Sequence, residues 1–144
     1  MSHITTSIAI DAPAELVFKT IADIRNFSEA VPDIVEVEFL SKSTYGVGTR
    51  FRETRVMYGR EATEELEVTE LVENSRIRIV AESHGVRWDS LFTVEETGEE
   101  TTLTLVMDIQ PQKFMARIMT PLMKGSIRKA LVKDMEAVKK YCER

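Results

Sequence analysis

Apolar and polar positions alternate with a period of two over much of the first 109 residues of this chain, and the period then changes to that of a helix. Ile4, Thr6, Ile8 and Ile10 alternate and predict a strand over 4–10. Asp11-Ala12-Pro13 ends it. Pro13 suits the start of a helix, and Glu15 suits its first turn, where backbone N–H groups favour negative charge. Leu16, Val17, Ile21 and Ile24 follow helical spacing, and a second helical piece over Asn26–Ala30 precedes Pro32, so this segment is one helix or a broken pair. From Ile34 to Ile109 the pattern is almost all strand. Val35, Val37 and Phe39 alternate with glutamates, Gly46-Val47-Gly48 turns the chain, and further strands cover 49–57, 62–69, 76–83, 86–94 and 101–109.

The turns between the last five strands are Tyr58-Gly59, Glu73-Asn74, His84-Gly85 and Gly98-Glu99, each with the Gly or Asn that tight hairpins favour. Two-residue loops at these points fix the registers. Phe51 faces Leu66, Leu66 faces Ala81, Val68 faces Ile79 and Ala81 faces Trp88. Phe92 then faces Leu105, and Val94 faces Leu103. A slip of one residue would send each of these sets to solvent. Four independent turns thus agree on one sheet with one apolar face. The inward set comprises Val35, Val37, Phe39, Phe51, Glu53, Arg55, Met57, Ala62, Glu64, Leu66, Val68, Ile77, Ile79, Ala81, Ser83, Val86, Trp88, Ser90, Phe92, Leu103, Leu105, Met107 and Ile109.

Pro111 ends the sheet, and Lys113–Glu143 reads as a long amphipathic helix. Its stripe runs through Met115, Ile118, Met119, Leu122, Ile127, Ala130, Leu131, Met135 and Val138. Pro121 and Gly125 predict a kink or a fresh start within it. Such a helix cannot bury its stripe alone, and the apolar sheet face is the surface that remains to receive it.

Composition narrows the function classes. The 144 residues, 43% hydrophobic and 30% charged, are ordinary for one globular domain over 1–144. One cysteine excludes an intrachain disulfide, and with no CxxC it also excludes the usual zinc and redox frameworks. A net charge of −5 does not invite phosphate backbones, and no apolar run approaches the ~20 residues of a bilayer span. The N-terminus lacks the pattern of a secretory signal. The expectation is a cytoplasmic protein, a monomer or weak homodimer, without nucleic acid, metal, cofactor or stable membrane insertion.

With this order of elements in place, the chain resembles the START-like superfamily, the polyketide cyclase/dehydrase, Bet v 1-like and lipid-transport group. Ala12-Pro13-Ala14-Glu15-Leu16-Val17-Phe18 is similar to its "AP-x-E-x-V-F" opening, and Ala22-Asp23 with Phe27 and Pro32 to its next segment. Gly46-Val47-Gly48-Thr49 is similar to its "GxG-T/S" turn, and Glu67-Val68-Thr69-Glu70 to a later run. The resemblance implies an α+β helix-grip fold, a curved antiparallel sheet of about seven strands around a long C-terminal helix. It also implies binding of a lipid, quinone or polyketide-like molecule in a cavity between the two. Some members are cyclases or aromatases. No universal catalytic motif comes with the resemblance.

The residues themselves raise one chemical question, in the hairpin FRETRVMYGREATEEL (51–66). Its inward parity carries Glu53, Arg55 and Glu64 beside Phe51, Met57 and Leu66. By the same registers Glu53 faces Glu64, Glu64 faces Ser83, and Arg55 is diagonal to Glu64. Facing carboxylates ~5 Å apart repel by roughly 3 kcal/mol at an effective dielectric near 20. Either Arg55 sits between them or one Glu stays protonated. In both cases the cluster is a polar anchor in an apolar wall, able to grip a ligand head group. In an enzyme of the cyclase, aromatase or dehydratase type, Glu53 or Glu64 would be the acid/base and Arg55 the carbonyl polariser. A bulge in either strand would instead turn Glu53 and Arg55 outward into solvated pairs.

Met57, Met107, Met115, Met119 and Met123 offer pliable thioethers to a cavity wall, or else fill a core; Trp88 and Ser90 share the inward face. Trp88 is a core anchor or a ring that stacks on ligand. His3, His84 and Cys142 have no partner set for metal or base chemistry, and no GxSxG, P-loop or HExxH occurs. Lys129, Lys133, Lys140 and Arg144, interspersed with Asp134, Glu136 and Glu143, read as a solvated helix face.

Overall fold

A computed structural model describes residues 2–144 of the chain. In chain order it contains β1 (Ser2–Ile10), α1 (Ala14–Ala22), α2 (Ile24–Ala30), β2 (Ile34–Phe39) and β3 (Arg50–Met57). There follow β4 (Arg60–Val72), β5 (Arg76–Ser83), β6 (Val86–Thr97), β7 (Glu100–Pro111) and α3 (Phe114–Cys142). The seven strands make one curved antiparallel sheet in the order β1-β7-β6-β5-β4-β3-β2, and α3 lies across its inner face. This is the helix-grip arrangement that the alternation and the long apolar stripe predict.

Local chemistry sets the joints. Asp23 is extended (φ −102°, ψ 113°) and separates α1 from α2, so the helical segment is a broken pair. Its carboxylate caps α2 by accepting from the Arg25 backbone N–H at 3.0 Å. In the β3–β4 and β5–β6 turns both residues have positive φ, Tyr58 and Gly59 at 53° and 75°, His84 and Gly85 at 52° and 75°. That geometry matches the right-handed twist of the flanking strands. Gly85 is needed for a second reason, since a Cβ there would meet the Lys113 side chain at 2.8 Å. Its carbonyl accepts from the Gln112 N–H at 2.7 Å and so ties the start of α3 to the β5–β6 turn.

Each inward pairing expected from the turns is present: Phe51↔Leu66, Leu66↔Ala81, Val68↔Ile79, Ala81↔Trp88, Phe92↔Leu105 and Val94↔Leu103. One pairing arises differently from the expectation. The β4–β5 turn holds three residues, with Val72 opposite Arg76, and a register shift between Val68 and Glu70 restores the inward parity. A second irregularity, between Ile34 and Glu36, corrects the expectation for Val35, which the bulge turns outward at 56% exposure while Ile34 is buried. Of the two alternatives at the breakers of the long helix, a fresh start is not what forms, since α3 runs as one helix through Pro121 and Gly125. Pro121 leaves no N–H for the Arg117 carbonyl, and beside it the Thr120 hydroxyl bonds the Ala116 carbonyl at 2.6 Å.

The core occupies one end of the space under α3. Leu131, Met135, Val138 and Cys142 of α3 meet Val17, Phe18 and Ile21 of α1 and the inward residues Ile10, Leu103, Leu105 and Ile109, all buried. The other end of the inner face, over β3–β7, is not filled.

Candidate functional site

The unfilled end is a cavity of about 390 Å³. Its floor is the inner face of β3–β7, including Phe51, Leu66, Val68, Ile79, Ala81 and Phe92. Its roof is the stretch of α3 carrying Ser126, Ile127, Ala130, Leu131 and Asp134, and one end is lined by Ile21, Ile24 and Phe27 with the β2–β3 loop at Thr44, Tyr45 and Gly46. The lining is largely apolar with a few polar groups, the composition of small-molecule sites.

Of the residues singled out in the sequence, Glu53, Arg55, Met57, Glu64, Leu66, Trp88, Ser90 and Met107 line this cavity. Ser83 stands just behind the wall. Its hydroxyl donates to Glu64 Oε1 at 2.8 Å and accepts from Trp88 Nε1 at 3.2 Å, so it orients both a carboxylate and an indole of the lining. Met115, Met119 and Met123 are not part of the wall. They are 65%, 45% and 48% exposed, because in this part of α3 the small residues Ala116 and Thr120 face the sheet. Met115 and Met119 each precede a residue of that inward row by one position, about 100° around the helix, and Met123 follows Thr120 by three, about 60° off the row.

The β3–β4 hairpin carries Glu53, Arg55 and Glu64 inward. Glu53 lies opposite Glu64 and the Glu53 side chain is 7% exposed. Arg55 answers the charge, but not by sitting between the two glutamates. Its Nε donates to Glu53 Oε1 at 2.5 Å and its Nη1 to Asp134 on α3 at 3.0 Å. Asp134, 14% exposed in its side chain, is the group that the sequence reading placed on a solvated face. A signal for it exists, since 134 lies three positions after Leu131 and four before Val138, within the buried stripe of α3.

Burial pushes the carboxyl of Glu53 above its ordinary range, and the adjacent Arg55 offsets only part of that. Asp134 is raised for the same reason, again with Arg55 opposing. For Arg55 burial acts to lower the pKa, but Glu53 and Asp134 together outweigh it, and the guanidinium holds its proton more tightly than an exposed arginine. The arrangement is one cation held between two buried carboxylates, with Glu64 and its Ser83 donor alongside.

The opposite end of the cavity has its own polar features. Thr49 is 2% exposed, and its hydroxyl is buried without a hydrogen-bond partner among the described residues. Nearby in the lining, Tyr45 donates to the Glu73 carboxylate at 3.0 Å, and burial together with that carboxylate pushes its phenol up to about 12. The bond fastens the β2–β3 loop to the β4–β5 turn. Among the described residues no cluster of His, Cys, Asp and Glu has the geometry of a metal site, and no helix is long and apolar enough to cross a membrane.

Comparison with known proteins agrees with this architecture. A family model described as polyketide cyclase/dehydrase and lipid transport matches residues 1–143. Among solved structures, an aromatase/cyclase, Zhui, from a Streptomyces species superposes with a TM-score of 0.81 at 19% identity, covering 99% of this chain and 94% of its own. A START superfamily protein from Mycobacterium smegmatis gives 0.75 at 16% identity, with 96% and 97% covered. A protein from Thermus thermophilus gives 0.78 at 16% identity, with 96% and 95% covered. At these identities the likeness is one of fold. No curated protein matches the chain by sequence.

Proposed function

The chain belongs to the polyketide cyclase/dehydrase and lipid-transport family, and from that membership we propose that it binds one small amphipathic molecule in the cavity under α3. The observation that carries this reading is an apolar cavity of about 390 Å³ with its charged groups gathered at one end. An apolar ligand body would replace water against Leu66, Ile79, Phe92 and Met107, and its polar end would lie among Glu53, Arg55, Glu64 and Asp134. The unpartnered Thr49 hydroxyl supports a second polar contact at the far end, since a buried polar group without a partner is costly until something pairs with it.

The charge of the lining narrows the ligand. Three carboxylates, Glu53, Glu64 and Asp134, stand against the single guanidinium of Arg55, and two donors of that guanidinium are already engaged. An anionic head group would enter a site with surplus negative charge. A neutral or cationic head carrying hydrogen-bond donors fits better.

The test is native mass spectrometry of the purified protein, with organic extraction and displacement of an apolar fluorescent probe. A co-purified or titrated neutral or cationic amphiphile that displaces the probe one-to-one supports the proposal. Failure of every apolar probe and amphiphile to bind, with the fold intact, overturns it.

A further inference from the structure

We propose that the first third of α3 docks this protein on an anionic lipid surface, with Phe114, Met115, Ile118, Met119, Leu122 and Met123 entering the interface and the surrounding lysines and arginines meeting the head groups. This goes beyond ligand binding and stands on different residues. Thirteen large hydrophobic side chains of the described residues are exposed, and six of them fall in the ten residues 114–123. Phe114 is 74% and Leu122 76% exposed. Only Ala116 and Thr120 of this stretch are buried against the sheet. A monomer leaves so concentrated an apolar face open when something covers it.

Charge decides between the candidate covers. Between Asp108 and Asp134 the chain holds six basic residues and no acidic one, in a protein of net charge −5. Lys133 is paired with Asp33 at 3.0 Å. Lys113, Arg117, Lys124, Arg128 and Lys129 have no carboxylate partner within salt-bridge distance among the described residues. Lys113, Arg117, Lys124 and Arg128 fall on one side of the helix, at about 100° per residue, and the apolar row occupies the adjoining arc. A basic edge beside an exposed apolar row is the pattern of a helix lying in the plane of a membrane interface. A second copy of this chain would bring the same positive charge to the contact, which weighs against self-association through this face. Methionine suits the role, since its flexible thioether adapts to a fluid surface better than a branched side chain does. The proposed contact is peripheral, and among the described residues no helix is long and apolar enough to span.

The patch also lies next to the cavity along the same helix. Ser126 and Ile127, which line the cavity, follow Met123 by less than one turn and a half. Docking through 114–123 would bring that end of the cavity's roof close to the lipid.

Co-sedimentation with phosphatidylcholine vesicles, with and without phosphatidylglycerol, tests the proposal on the full chain. Binding should require phosphatidylglycerol and weaken as salt approaches 1 M, where screening acts over about 3 Å. Neutralising Arg117 and Lys124 (R117Q with K124Q) should lower the partition coefficient about thirtyfold, the equivalent of ~1 kcal/mol per charge. Leu122→Glu with Ile118→Glu should abolish binding while leaving the melting temperature near that of the wild type, because both side chains are exposed. Equal binding to both vesicle types, or vesicle binding unchanged in these variants, overturns the proposal. So does a wild-type dimer, seen by sedimentation velocity, that Leu122→Glu dissociates without any vesicle binding, since the face would then be an interface between copies of the chain.

Discussion

Arg55 on β3 and Asp134 on α3, 79 residues apart in the chain, meet at 3.0 Å over the cavity. With the Glu53 contact at 2.5 Å on its other side, the guanidinium joins the sheet's polar patch to the helix that covers it. The ion pair therefore bears on two properties at once, how α3 is held on the sheet and what charge the cavity presents to a ligand.

Removing the cation exposes how much the two carboxylates depend on it. Arg55→Ala leaves Glu53 and Asp134 buried without compensation and should destabilise the fold by ~3–5 kcal/mol at neutral pH. Arg55→Met combined with Glu53→Gln and Asp134→Asn removes all three charges at nearly constant volume and should recover most of that loss. Urea unfolding at pH 7 measures both. A single variant as stable as the wild type would mean that the trio is solvated.

The pH dependence has a definite sign. Burial raises Glu53 and Asp134 in the folded state above their unfolded values. Between those values the folded protein holds protons that the unfolded chain has released, so stability from these two groups falls as pH rises through that window. Above it the cost is constant, and below the unfolded pKa it is absent. Asp23, Glu70 and Glu143 are lowered and act in the opposite sense, losing stability as pH falls. Comparing wild type with Glu53→Gln separates the contributions. The unfolding free energy of the variant minus that of the wild type should rise with pH across the window above ~4.3, the ordinary glutamate value. A flat or falling difference would show that Glu53 is not raised.

Much of this site is legible in the sequence, and particular residues show why the rest is not. The inward parity of Glu53, Arg55 and Glu64 follows from the strict two-residue period of a strand and from turn residues that fix each register. The three-residue β4–β5 turn and the shift near Thr69 are invisible in the pattern because they cancel, leaving Leu66 opposite Ala81 as a simple turn would. Val35 departs from the alternation because a bulge depends on how the neighbouring strand is met, which no local pattern encodes. On α3 the apolar stripe is too broad to say which part faces the sheet, so the pattern alone does not separate Met115, Met119 and Met123 from the small residues Ala116 and Thr120 that are buried there. Asp134 is hard to read from sequence because a lone carboxylate on a helix with many charges looks solvated until Arg55 is placed opposite it.

Trp88 is the sole tryptophan and lines the cavity, its indole N–H held by Ser83 at 3.2 Å. Its emission should therefore report occupancy. An apolar ligand that displaces water should shift the emission to shorter wavelength, and Ser83→Ala should move the spectrum of the free protein by releasing both the indole and Glu64. A ligand that binds one-to-one by mass spectrometry without altering Trp88 emission would place the site elsewhere.

Filling the cavity should separate binding from folding. Ser90 lines the floor opposite Met107 and Ile79 and makes no side-chain hydrogen bond among the described residues. Ser90→Trp would project an indole into the open space without removing any polar contact. Probe binding should be lost while the melting temperature holds or rises, since new apolar contacts fill a void. A Ser90→Trp protein that unfolds readily would show the space to be smaller than the cavity described. One that folds and still binds would show that the ligand does not use it.

Charge selectivity is the sharpest consequence of the Arg55–Asp134 contact. Were Arg55 free, its guanidinium would offer a paired fork to a fatty-acid carboxylate. It is instead engaged by Glu53 and Asp134, and Glu64 adds a third carboxylate to the lining. A carboxylate ligand would have to displace one of these partners or sit uncompensated beside them, while an alcohol or amine of the same chain length meets acceptors. At pH 7 a long-chain alcohol or amine should displace an apolar probe at least tenfold more strongly than the matching fatty acid, a difference of ~1.4 kcal/mol. Asp134→Asn should narrow the gap by freeing one face of Arg55, and lowering the pH toward the fatty acid's own protonation should narrow it further. Preference for the fatty acid at pH 7, unaffected by Asp134→Asn, would mean that Arg55 leaves its partners on binding and that the ion pair seen in the free protein is not the state that selects the ligand.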